Sequence, residues 1–264
     1  MDELYQQYLK KQKITKILIF FIQISLLGLF LLLWEIAAHY KWIDAFIFSS
    51  PSRIYKLLIT YIQNKEIFYH TWVSTYEVIL GLIIGTIIGI LIAIILYEFK
   101  ILAKIFDPFL VVLNALPKTA LAPIFIIWIG TNIKGIIFVA ISISLILTII
   151  NAYSAFNNVE EEKIKLLKTF GANRFIILKE LILPANIDEI INIIKVNIGM
   201  SWIGVIVGEF IVSKAGLGYL ITYGTQVFRL DLVMLGVFVL AIITMLMYII
   251  LNLGVKLYQK LRGW

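Results

Sequence analysis

Residues 78–97 read VILGLIIGTIIGILIAIILY, twenty positions without a charge or a proline. At 1.5 Å of rise per residue, a helix of that length crosses the roughly 30 Å hydrocarbon layer of a bilayer. Similar runs recur on both sides. No residue between Lys16 and Glu35 is charged, and residues 135–159 and 232–255 are equally free. Between Asp107 and Lys134 the only charge is Lys118, and a less clean run over 187–212 carries Lys195 and Glu209. The chain is 61% hydrophobic and 15% charged, too apolar for a fold surrounded by water. The reading is an all-α polytopic membrane protein of about six transmembrane helices, near 17–38, 74–97, 108–131, 135–156, 187–212 and 232–257.

Six crossings put both termini on one side. That side then holds fourteen Lys and Arg and the other holds seven, with Lys118 and Lys195 inside spans. Short cation-rich loops stay in the cytoplasm, so both termini are expected there. The net charge of +7 is spread along these loops, which argues against nucleic acid as a partner. The first span is too long for a signal-peptide core and reads as an anchor in the lipid bilayer. With no cysteine and two isolated histidines, His39 and His70, no metal site is expected.

Small residues Gly81, Gly85 and Gly89, continued by Ala93, form one stripe of the second span, the pattern that lets two helices pack closely. Three of the five prolines, Pro108, Pro117 and Pro123, fall in the third span. Each removes a donor and disfavours helix before it, so a kink or unwound stretch is expected near Pro117. Irregular backbone at membrane depth needs cover from protein or a water-filled cavity, which places Asn114, Pro117 and Lys118 beside a pathway, unless Lys118 merely snorkels at a helix end. Ser201 and Trp202 on the fifth span are expected opposite them. Glu209 is either a path residue or a structural one that caps a helix or pairs with Lys214 or Arg229.

Two stretches outside the spans carry further signals. Ser50-Pro51 is a helix-start pair, and Ile54, Leu57, Leu58 and Tyr61 follow at helical spacing, as in an amphipathic interfacial or connecting helix. Residues 155–186 open with Asn157 and Asn158 as candidate caps and Glu160, Glu161 and Glu162 in a first turn. Ile164, Leu167 and Phe170 give an apolar edge, and Gly171 can close the helix in the left-handed conformation. A second helix starts near Asn173, buries Phe175, Leu178 and Leu181 or Ile182, and stops at Leu183-Pro184. This helix pair either meets a partner surface or folds back on the bundle.

Gly171, nine residues, then Leu181-Ile182-Leu183-Pro184 resembles the EAA-loop signature of binding-protein-dependent ABC importer permeases. Lys165-Leu166-Leu167 stand where that signature has Glu-Ala-Ala. Further phrases resemble the taurine, alkanesulfonate and nitrate branch: Ser49-Ser50-Pro51-Ser52-Arg53, Asp107-Pro108, Leu116-Pro117-Lys118-Thr119-Ala120-Leu121-Ala122-Pro123, and Gly208-Glu209-Phe210 followed by Gly216-Leu217-Gly218. The resemblance implies that residues 1–264 are one transmembrane domain of a bacterial inner-membrane importer, working with a second copy of itself. It implies two cytoplasmic ATP-binding subunits docked on the coupling loop 155–186 (Glu160, Glu161, Ile164, Lys165, Leu167, Phe170, Gly171, Leu183 and Pro184) and an extracytoplasmic solute-binding protein. ATP and Mg would be used by the partner. This chain, with no G-x-x-x-x-G-K-[ST] loop and no H-E-x-x-H, is expected to bind no cofactor and to catalyse nothing. A sulfonate, taurine or nitrate is the expected solute, with a thiamine-precursor pyrimidine as the alternative. An ion-coupled secondary transporter would need internal repeats, and none is detected.

Overall fold

A computed structural model describes residues 2–262. Its elements are helices: α1 (Asp2–His39), α2 (Pro51–Gln63), α3 (Glu66–Glu98), α4 (Lys100–Ala115), α5 (Lys118–Ile129), α6 (Ile133–Asn157), α7 (Glu161–Thr169), α8 (Arg174–Ile177), a π-type turn (Leu178–Ile182), α9 (Leu183–Ala185), α10 (Ile187–Val212), α11 (Leu217–Gln226) and α12 (Leu230–Arg262).

The centre of the bundle is α3, α6 and α10, brought together by glycine. A Cβ at Gly81 would stand 2.7 Å from Ala140 Cβ, one at Gly85 would strike Ser144 Oγ, and one at Gly89 would lie 2.6 Å from Thr148 Cβ. Both series rise together, so α3 and α6 run parallel. Gly204 and Gly208 meet Ala140 and Ile136 in reversed order, which makes α10 antiparallel to α6. With no hydrophobic drive between helices in lipid, such close approach supplies the dispersion that holds them. Asn197 Nδ2 adds a polar staple from α10, donating to Thr86 Oγ1 on α3 at 2.9 Å and Thr148 Oγ1 on α6 at 2.7 Å.

Parallel α3 and α6 also settle the number of crossings. The chain between them must return across the bilayer, and only α4 and α5 are available to do so. Among the described residues five helices are individually long and apolar enough to span, while α4 and α5 qualify only as a pair bent by 100°. The break falls at Leu116 (ψ 135°) and Pro117 (ψ 91°), both extended, because proline pushes its predecessor out of the helical region. The break is confined to the expected place at Pro117, and helix continues through Pro108 and Pro123. Tertiary packing holds it there: Ala103 packs with Leu96 and Ile149, and Ala122 and Ile126 pack against Val139 and Ile143.

One end of the bundle carries α2 and α11, and the other carries α7 to α9. Ser50 caps α2 by accepting from Arg53 N, and Ile54 and Tyr61 are buried with Trp202, Leu217 and Leu232. Glu35 Oε2 accepts from Ser52 N at 2.9 Å and ties the end of α1 to α2. The apolar window of α1 is otherwise uncovered by protein, as a lipid-facing helix should be.

Candidate functional site

The helix pair between α6 and α10 has two faces. Inward, Ile177, Leu178 and Ile182 are buried with Ala93 of α3, Phe156 of α6 and Ile193 of α10, and Ile164 and Leu167 pack against them. Outward, Phe170 and Phe175 are 79% and 70% exposed. The loop therefore folds back on the bundle and still presents aromatic side chains beyond it. Phe175 was expected on the buried side and is exposed; Ile177 is buried instead with Leu178 and Ile182, and the π-type turn at Leu178–Ile182 interrupts the regular register that would have put Phe175 on their stripe.

Gly171 (φ +81°) closes α7. Its N–H donates to Lys168 O at 2.9 Å and that of Ala172 to Leu167 O at 3.0 Å, the paired bonds of a Schellman closure. Asn173 Oδ1 then accepts from Ile176 N at 2.9 Å and starts α8. Asn157 and Asn158 do not cap α7 as expected: Asn158 ends α6, and Asn157 Nδ2 donates back to Tyr153 O. Nor does Leu183-Pro184 stop the helix. Pro184 sits in the first turn of α9, where its missing N–H has no helical partner to lose, and the break comes at Asn186. Lys165, standing where the signature has glutamate, pairs with Glu161 at 3.3 Å, and Lys163 pairs with Glu160 at 3.1 Å. Both pairs are exposed and worth little stability.

At the elbow of the broken span, Lys118 begins α5 and is half-buried. Its Nζ donates to Asn114 O at 3.3 Å and to Asn114 Oδ1 at 3.4 Å, so lysine and asparagine bracket Pro117. Ser201 and Trp202 are not opposite them. Trp202 is buried toward α2, α11 and α12, while Met200, Val207 and Val212 are the α10 residues packed against the cluster of Ala122 and Ile126 of α5. Two residues past Met200 is a turn of about 200°, which carries Trp202 to the far face of the helix. Ser201 is enclosed in the core.

Glu209 is 1% exposed and builds the start of α11. Its Oε2 accepts from Gly218 N at 2.6 Å and Tyr219 N at 3.3 Å, and its Oε1 accepts from Ser74 Oγ at 2.5 Å. Ser74 Oγ accepts from Leu217 N at 2.7 Å, and His70 Nδ1 accepts from Gly216 N at 3.0 Å. The four N–H groups that open a helix have no partner within it, and here three side chains from α3 and α10 take all of them. Neither Lys214 nor Arg229 is among the carboxylate's hydrogen-bond partners, and Arg229 lies 3.9 Å from Asp231. Gly216 (φ +114°) and Gly218 lie so close to Glu209 that a Cβ at either would collide with its side chain. The sequence reading missed Ser74, His70 and Glu77, which is buried beside Glu209. The available signal was the spacing of Glu209 before Gly216-Leu217-Gly218, two glycines where a buried group approaches the backbone.

Comparison with known proteins agrees with this build. Over 234 residues the chain is 29% identical to the riboflavin transport system permease protein RibX of Chloroflexus aurantiacus, covering 89% of this chain and 87% of that one. It is 25% identical over 210 residues to the aliphatic sulfonates transport permease protein SsuC of Escherichia coli, described as putative, covering 80% of each. It is 24% identical over 252 residues to the taurine transport system permease protein TauC of Escherichia coli, covering 92% and 89%. Residues 85–262, which hold the elbow, the helix pair and Glu209, match the binding-protein-dependent transport system inner membrane component family. The chain belongs to that family, and is a multi-pass permease subunit of an ABC transporter for small solutes.

Proposed function

We propose that this permease pairs with a second copy of itself in a bacterial plasma membrane, with both termini in the cytosol, and forms the path of an ATP-driven importer for a small anion such as a sulfonate, taurine or nitrate. Two cytosolic ATP-binding subunits grip α7 to α9, and an extracytoplasmic binding protein delivers solute at the end carrying α2 and α11. ATP and Mg are used by the partner subunits alone.

The observation that carries this reading is the two-sided build of the helix pair, with Ile177, Leu178 and Ile182 locked into the core and Phe170 and Phe175 held out. A push on the exposed side is delivered directly to the ends of α3, α6 and α10, which move as a packed unit. An anion is supported by the elbow. Lys118 supplies a cation, and the free N–H groups at the start of α5 add a positive dipole end. A heteroaromatic solute such as a thiamine-precursor pyrimidine is the second reading, favoured by the similarity to a permease named for riboflavin.

Gly171→Val tests the coupling. Its Cβ would meet open space, so the cost is confined to the left-handed backbone, on the order of 1–3 kcal/mol. The variant should insert and assemble, yet lose about tenfold in solute-stimulated ATPase activity of the reconstituted complex. Full stimulation would overturn the reading.

A further inference from the structure

At the end carrying α7 to α9, a cleft of about 610 Å³ opens between the α3–α4 turn and the helix pair. Lys100 stands on one wall, and Lys165, Lys168 and Arg174 stand on the other. Glu161 takes up Lys165, and Glu98 adds a second carboxylate to the lining. Lys100, Lys168 and Arg174 have no ion-pair partner among the described residues. The cleft therefore carries a surplus of two positive charges and three cations without a carboxylate of their own.

The floor and one lip are apolar. Phe99, Ile101 and Leu102 line it, and α4 leads away with Ile101 and Ile105 turned out from the protein, at 76% and 53% exposure. α4 is the first half of the bent pair that is long and apolar enough to span, and this wall continues its exposed apolar face. A cationic cleft that runs into such a wall matches a molecule with an anionic head and hydrocarbon tails. A soluble phosphate would use the cations and leave the wall unused.

We propose that this cleft binds an anionic phospholipid, with its phosphate among Lys100, Lys168 and Arg174 and its acyl chains along Phe99, Ile101 and Ile105. The bound lipid bridges the α3–α4 turn to α7 and α8. It thereby braces the helix pair from the side that the core does not reach. The site needs only a bilayer beside α4, so it holds whichever face of the membrane this end occupies and whichever solute is carried.

The test is native mass spectrometry of the complete transporter released from nanodiscs of mixed phosphatidylglycerol and phosphatidylcholine. Wild type should retain phosphatidylglycerol selectively. Each cation is worth about fivefold in affinity, so Lys168→Gln should cut retention about fivefold, Lys168→Arg should restore it, and Lys100→Gln with Lys168→Gln and Arg174→Gln together should lose more than tenfold. Inorganic phosphate at millimolar concentration should not displace the lipid. Equal retention of the two lipids, undiminished retention by Lys168→Gln, or displacement by phosphate would each overturn the proposal. The single substitutions on exposed side chains keep the test readable should the triple variant fail to assemble.

Discussion

Ser74 Oγ on α3 donates to Glu209 Oε1 on α10 at 2.5 Å while accepting from Leu217 N on α11 at 2.7 Å. One hydroxyl thus ties α3 to two helices that follow it by 135 and 143 residues at the points of contact. In a dry interior such a junction is stabilising only while every partner is present, because each polar group left without one costs about 1–3 kcal/mol.

Glu209→Ala should therefore be severely destabilising. It orphans Gly218 N and Tyr219 N and leaves Ser74 without its acceptor, a loss of about 3 kcal/mol or more. Glu209→Gln keeps one acceptor oxygen and should lose less. Ser74→Ala added to Glu209→Ala should cost little more, since the two act as one network. Thermal unfolding of the detergent-solubilised permease reads all three, and a wild-type Tm for Glu209→Ala would remove the cap from the account.

Two glycines of α10 make a matched comparison. A Cβ at Gly204 would run into the Ala140 main chain, which cannot yield without moving α6, whereas a Cβ at Gly199 meets nothing within 4 Å. Gly204→Ala should cost about 2 kcal/mol or more. Gly199→Ala should be neutral or stabilising by up to about 1 kcal/mol through better helix propensity. The same thermal measurement decides; equal effects would mean that α6 and α10 are not in glycine-mediated contact.

Lys118 tests the nature of the solute. If the elbow receives an anion, Lys118→Ala should lower the maximal uptake rate about tenfold, or roughly 1.4 kcal/mol, while leaving KM to the binding protein. Lys118→Arg should keep most of the rate. Uptake of labelled sulfonate, taurine and nitrate by cells expressing the complete system is the assay, and an unchanged rate for Lys118→Ala would favour the heteroaromatic reading.

The membrane spans were legible because charge-free length is a one-dimensional property. So were the break at Leu116-Pro117 and the turn at Gly171, since a proline and a glycine each act on their own backbone. The positions of Trp202 and Phe175 were not. Which stripe of a helix is buried depends on which neighbour it meets, and the neighbours of α10 come from both sides of it in sequence, α3, α5 and α6 before it and α11 and α12 after it. Glu209 shows the same limit in sharper form. Its charge marked it as notable, but its neighbours Ser74 and Glu77, and His70 at the same helix start, sit on a helix that the sequence presents only as an apolar span with a polar lead-in. Asn197, joined to Thr86 and Thr148, left no local trace for the same reason.

The central claim is that α7 to α9 is the surface a cytosolic ATPase holds. The chain has no cysteine, so Phe170→Cys supplies a single reporter on that surface without further changes. In sealed vesicles of known orientation, a membrane-impermeant maleimide should label it only from the cytosolic face, and a short bifunctional reagent should link it to the ATP-binding subunit with a yield that changes with nucleotide. Labelling from the external face, or no link to the ATP-binding subunit in an active complex, would contradict the account.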